Sequence, residues 1–169
     1  MRRSTWVVGL GVAAVVGGGA VSASAAPSAA PVTGPSAAQR PGTVLRYDIV
    51  FRPMDQNYVD LGTPGPGVGD LLVFQDRILD RRGGQVGVEG GSCTITALLP
   101  GDHFQTHCVG TVSLPAGQIA FQGLVSDLPE KRMAVVGGTG RYRTAAGELT
   151  VVELGHDNAG TLTVKLSGR

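Results

Sequence analysis

From residue 43 onward, apolar and polar positions alternate with a period of two, in runs separated by Gly- and Pro-rich turns. The last run shows it most cleanly: Leu162, Val164 and Leu166 alternate with Thr161, Thr163 and Lys165. Such alternation predicts half-buried strands. By the same criterion strands are expected over 43–52, 70–80, 85–99, 103–114, 118–126, 133–136, 148–154 and 161–166, with no segment reading as a long helix. Pro53 ends the first run, and 59–69 (VDLGTPGPGVG) reads as a long loop. Gly83-Gly84, Pro100-Gly101-Asp102 and Pro115-Ala116-Gly117 supply turns, and 127–131 (DLPEK) a polar loop. Gly87 and Gly90-Gly91 interrupt the longest run, where a barrel wall needs a bend or bulge to close. Eight strands joined mainly by hairpins fit an all-β, eight-stranded antiparallel up-and-down (calycin-like) β-barrel better than a sandwich, since closure removes the exposed edges. A barrel of this size is either filled by side chains or holds one small ligand.

The most distinctive stretch is 133–154, MAVVGGTGRYRTAAGELTVVEL. A β-branched run stops at Gly137-Gly138, and Gly140 and Gly147 bracket a segment with room for one helical turn. A Gly-x-Gly after a strand invites a phosphate-binding reading, but that motif needs a long helix opening at the glycines. Here Gly147 closes the segment and a new strand begins, so nucleotide binding is not expected.

The first 42 residues have a different character. Arg2-Arg3, an apolar run from Trp6 and a small-residue stretch ending at Ala25 make a secretory signal over 1–25, with cleavage near Ala25. The apolar run is shorter than the ~20 residues of a spanning helix, so no stable membrane span is expected. Residues 26–42, rich in Ala and Pro, read as a flexible linker, leaving 43–169 as one barrel domain. Losing Arg2 and Arg3 lowers Lys+Arg from 14 to 12 against 13 Asp+Glu, a formal charge of −1. A near-neutral surface without a basic stripe argues against nucleic acid as a partner.

Two cysteines in an exported chain imply one disulfide. Folding the hairpin symmetrically about Pro100-Gly101 sets Cys93 opposite Cys108, within the Cα separation a disulfide accepts. The alternative, a free Cys93 nucleophile with His107 as base, does not suit this compartment. His103 and His107 are ~13 Å apart along one strand, too far to share a metal, and no metal site is expected; His156 reads as an ordinary loop residue.

Acids on strands carry more information. Asp48 shares its face with Val50, Asp76 with Leu72, Phe74 and Ile78, and Glu89 with Gly91 and Cys93. Were these faces inward, desolvation would raise the carboxyl pKa values and suit them to proton transfer. Parity decides which residues sit together, not which face is inside. Arg141 and Arg143 are open in the same way, as orienting groups beside a cavity or as ordinary rim arginines.

The corner Val135-Val136-Gly137-Gly138-Thr139-Gly140-Arg141-Tyr142-Arg143 with Ala145-Ala146-Gly147 resembles that of the plant dirigent proteins. The run from Val68 to Asp76, then Val86-Gly87-Val88, Gly91, Cys93 and Gln122-Gly123, resembles the related allene oxide cyclases. The resemblance implies a calycin-like barrel, homotrimeric, acting without a cofactor on a small hydrophobic ligand or reactive intermediate. It places Asp48 where the cyclases carry a catalytic glutamate, and Asp76 and Arg143 at acidic and arginine positions of the dirigent pattern. Val50 replaces a cyclase asparagine and Val125 a pocket tyrosine, so a true allene oxide cyclase is not expected. The expected catalytic set is Asp48, Asp76 and Arg143, with Val50, Leu72, Phe74, Ile78, Glu89, Phe121 and Val125 contacting substrate. Two functions stay open: a secreted cofactor-free cyclase, isomerase or stereocontrol protein, and a non-catalytic barrel that binds a hydrophobic molecule or serves structure.

Overall fold

The computed structural model describes residues 42–52, 55–155 and 158–167. The expected signal peptide, almost all of the linker, Pro53 and His156 lie outside the described residues. Within them the chain forms β1 (Thr43–Val50), β2 (Gln56–Val59), β3 (Leu71–Leu79), β4 (Gln85–Leu99), β5 (His103–Leu114), β6 (Gly117–Ser126), β7 (Glu130–Gly138), β8 (Gly147–Glu153) and β9 (Ala159–Leu166). One 3-10 turn, Gly140–Tyr142, lies between β7 and β8.

Neighbouring strands are antiparallel in the order β1-β9-β8-β7-β6-β5-β4-β3-β2, and β1 also pairs with β3, which closes the sheet. β1 pairs with the end of β3 (Ile49 opposite Ile78) and β2 with its beginning (Gln56 opposite Phe74). The two therefore share one place along the edge of β3, and the wall is an eight-place antiparallel barrel with one interrupted strand. Pattern reading misses β2, because Gln56-Asn57-Tyr58 has no apolar alternation. It also cuts β7 short: Glu130 and Lys131 belong to the strand, paired with Val152 and Val151.

Large apolar side chains decide which faces turn inward. On β1 the inner set is Leu45, Tyr47, Ile49 and Phe51, with Ile49 fully buried. This overturns two sequence expectations at once. Asp48 is exposed on the outer wall, and Val50 shares that outer face and is only half-buried. On β3 the apolar set Leu72, Phe74 and Ile78 turns inward and takes Asp76 with it; on β4 Glu89 is likewise inside.

The barrel is filled at one end. Val112, Leu114, Ile119, Val135, Leu149, Leu162 and Val164 pack there, with Phe121 and Ile78 completing the core. The Gly-rich corner caps this end. Thr139 N donates to Gln118 O at 2.8 Å and Arg141 N to Ala116 O at 2.9 Å, fixing the turn to the β5–β6 hairpin while Tyr142 buries its ring. Gly147, at φ +151°, leaves no space for a side chain: an added Cβ would lie 2.0 Å from Lys165 O.

Cys93 and Cys108 form the expected disulfide, with Cα atoms 4.0 Å apart. The route to this register differs from a symmetric two-residue turn. Leu99 pairs with His103 around a three-residue turn, and a bulge at Thr96 restores the pairing of Ile95 with Thr106 and of the two cysteines. Gly101, at φ 78°, and Asp102, at φ 59°, take the left-handed positions of that turn.

Candidate active site

Toward the other end, the interior opens into a cavity of about 80 Å³ lined by Phe51, Leu72, Phe74, Asp76, Glu89 and the disulfide, with Met133 and Val151 across from them. A wider chamber of about 210 Å³ shares Leu72, Cys93, Cys108, Lys131 and Glu153 with it and adds Tyr58, Phe104 and Asp127. The two make an apolar funnel whose polar groups are few.

Missing side chains opposite place the aromatic walls. A Cβ at Gly91 would sit 3.1 Å from the tip of Phe74, and one at Gly160 would sit 2.7 Å from the Phe51 ring. Two glycines thus give two rings room to lie flat against the sheet.

The polar centre is a pair of carboxyls. Asp76 of β3 is paired directly across from Glu89 of β4, and the side chains are 3% and 2% exposed. Same-face partners of this kind have Cβ atoms ~4.5–5.5 Å apart. Asp76 accepts a hydrogen bond from the Gln56 side chain, but its Oδ1, like Glu89 Oε2, has no hydrogen-bond partner among the described residues. Burial first, and then the charges of Glu153 and Asp55, push the Asp76 carboxyl up to about 6. Burial, reinforced by Asp76, pushes Glu89 up to about 8. Near neutral pH the coupled pair therefore shares one proton.

Lys131 and Glu153 stand at the mouth. The ammonium donates to Glu153 Oε1 at 2.6 Å and to Leu128 O at 3.0 Å. Neither residue was among the expected site positions, and neither were Phe51, Gln56, Met133 and Val151. Their parity was a usable signal, since Lys131 alternates with Met133 and Val135, and Glu153 with Val151 and Leu149, all on inward faces. A third acid is structural. Asp70 is fully buried beside the funnel, where it accepts from Leu61 N at 2.8 Å, Gly67 N at 2.7 Å and the Tyr58 hydroxyl, and so folds the 60–69 loop. The Tyr58 hydrogen bond, ahead of that from Leu61 N, holds its carboxyl below the usual range.

Of the expected site residues, Leu72, Phe74, Asp76 and Glu89 meet in the cavity. Ile78 and Phe121 belong to the packed core beneath it, and Val125 is buried without lining it. Asp48 and Val50 face outward. Arg143 is exposed at the capping corner, the length of β7 away from Lys131 and the mouth. Among the described residues no group of His, Cys, Asp and Glu is arranged to hold a metal ion.

Comparison with known proteins agrees with this architecture. Residues 53–166 match the family model for the "Allene oxide cyclase barrel like domain". No curated protein matches by sequence. Among solved structures, a pyocyanin demethylase is 34% identical with a TM-score of 0.66, over 73% of this chain and 99% of that one. A Diels–Alderase from Streptomyces koyangensis is 19% identical at a TM-score of 0.62, over 79% of this chain and 71% of that one. A pterocarpan synthase dirigent protein is 18% identical at a TM-score of 0.60, over 83% and 96%. These last two show the shared fold alone. With a closed antiparallel barrel and a family match running from just after β1 to the end of β9, the chain belongs to the allene oxide cyclase barrel like family.

Proposed function

We propose that this protein is a cofactor-independent isomerase or cyclase that holds a small apolar molecule in the funnel and moves protons with Asp76 and Glu89. The observation that carries the reading is the pair itself: two facing carboxyls, nearly without solvent contact, with Oδ1 and Oε2 unpartnered among the described residues, in a cavity with aromatic walls. One proton shared by two such groups lets Asp76 accept a proton from substrate while Glu89 donates one elsewhere on it. The pair ends with the same number of protons, so the step requires no outside acid or base. The apolar walls contribute by fixing one conformation of a flexible or reactive molecule, and orientation alone can supply several kcal/mol of barrier lowering, roughly 7–11 in the best intramolecular cases. The neighbours named for cycloaddition and demethylation support a catalytic use of the same barrel.

Export is part of the proposal. The leader-like first 25 residues and the disulfide both fit a secreted protein.

The test is turnover of a panel of small apolar compounds, pyocyanin among them, followed by mass spectrometry with wild type, Asp76→Asn and Glu89→Gln. Loss of product with binding retained supports catalysis. Unchanged turnover in both variants would overturn it, and binding without turnover in wild type would favour the non-catalytic reading.

A further inference from the structure

The polar groups in the funnel are not matched in sign, and this bears on what it binds. The inference rests on the reading of the funnel as a ligand site and narrows its ligand class. Two acids, Asp76 and Glu89, are buried with one oxygen each lacking a partner among the described residues. Lys131, which lines the cavity, and Arg52, next to the lining residue Phe51, are both paired with other acids. Lys131 Nζ is 2.6 Å from Glu153 Oε1, and Arg52 Nε is 3.2 Å from Asp55 Oδ2. A buried acceptor without a donor is destabilising, and more so when charged. A neutral hydrocarbon sealed over the pair would leave that cost in place, and an anion would add to it.

We infer that the funnel selects a flat organic nitrogen cation, with Asp76 and Glu89 as its counter-charges and Phe51 and Phe74 as its walls. Each part follows from a placed group. The carboxyl oxygens meet the positive nitrogen or its N–H. Both rings line the same cavity, where a desolvated cation over an aromatic face gains further attraction. Lys131, neutralised by Glu153, does not repel the ligand as a bare ammonium would.

A consequence is that affinity depends on pH. The charged groups facing Asp76 are Glu89 from β4, Glu153 and its partner Lys131 from β8 and β7, and Asp55 before β2, which pairs with Arg52. The two inner carboxyls change charge between about 6 and 8. A bound cation favours their ionised forms, so it binds more tightly as pH rises through that range and displaces protons as it does so.

The experiment compares the fluorescent cation N-methylquinolinium with its neutral isostere 1-methylnaphthalene, by titration of the purified protein from pH 5 to 9. The expected result is a preference for the cation of roughly tenfold at pH 8, shrinking toward pH 5 and abolished in Asp76→Asn. Circular dichroism verifies that the variant is folded, and the wild-type pH dependence provides an independent reading should it not be. Equal or tighter binding of the naphthalene at pH 8 would overturn the charge preference and leave the apolar site standing. Binding of neither probe would overturn the ligand site together with the inference.

Discussion

Asp76 on β3 and Glu89 on β4 are direct cross-strand partners inside a closed barrel, and both are almost completely buried. Two carboxyls so close in an apolar enclosure cannot both ionise readily, so the pair divides its protonation states between acid and base.

The pH dependence of turnover should be bell-shaped. Rate rises through about 6 as Asp76 becomes a base and falls through about 8 as Glu89 loses its acid proton. These are values of the coupled pair. Asp76→Asn should remove the acidic limb and lower turnover by ~10²–10⁴-fold. A flat wild-type profile from pH 5 to 9 would contradict the assignment.

Stability should move in the opposite sense to that of a protein held by salt-bridged acids. Asp76 is raised from 3.8 to about 6 and Glu89 from 4.5 to about 8, so between those values the folded state binds more protons than the unfolded. Stability is then fullest below about pH 4 as far as these two groups are concerned, falls as pH rises through about 6 and 8, and levels beyond. Urea midpoints measured across this window should decline in wild type and decline less in Glu89→Gln.

Asp48→Asn and Arg143→Lys should each leave turnover within about twofold, because surface substitutions away from a site change energies by only ~0.5 kcal/mol. Asp48 is exposed on the outer wall and Arg143 at the capping corner. A hundredfold loss in either would return catalysis to the residues the sequence first suggested.

Thiol titration of the denatured, unreduced protein should find no free cysteine, since Cys93 and Cys108 are bridged. Opening a loop of sequence separation 15 should cost roughly 3 kcal/mol in the chain-entropy account, read from urea unfolding with and without reductant. The bridge also lines the funnel, so reduction should weaken probe binding as well.

A homotrimer is the expected assembly, and the outer wall offers a surface for it. β5 and β6 carry no Asp, Glu, Lys or Arg at all, and Val109 and Leu124 are 41% and 59% exposed there. Placing charge at Leu124, as Leu124→Glu, should shift sedimentation from trimer to monomer. A monomeric wild type at micromolar concentration would remove the expectation. The apolar face of β1 plays no part, since Tyr47, Ile49 and Phe51 turn inward.

Eight of the nine strands, their antiparallel succession, the cysteine pairing and the glycine corner are legible along the chain, because each is a local matter of period two, turn chemistry and hairpin register. Parity also tells which residues travel together: Asp76 with Leu72 and Phe74, and Glu89 with Cys93. On β1 the sequence held more than parity reading took from it, since Leu45, Tyr47, Ile49 and Phe51 outweigh Val44 and Val50 as a set to bury. Only the tertiary structure decided that Asp76 and Glu89 face one another within a cavity, that Arg143 sits apart from it, and that Gln56, Lys131 and Glu153 complete its mouth. Closure joins β1 to both β3 and β9 and brings the ends of β7 and β8 over β3. That registration is set by the whole barrel packing its large apolar side chains at one end, and no local pattern encodes it.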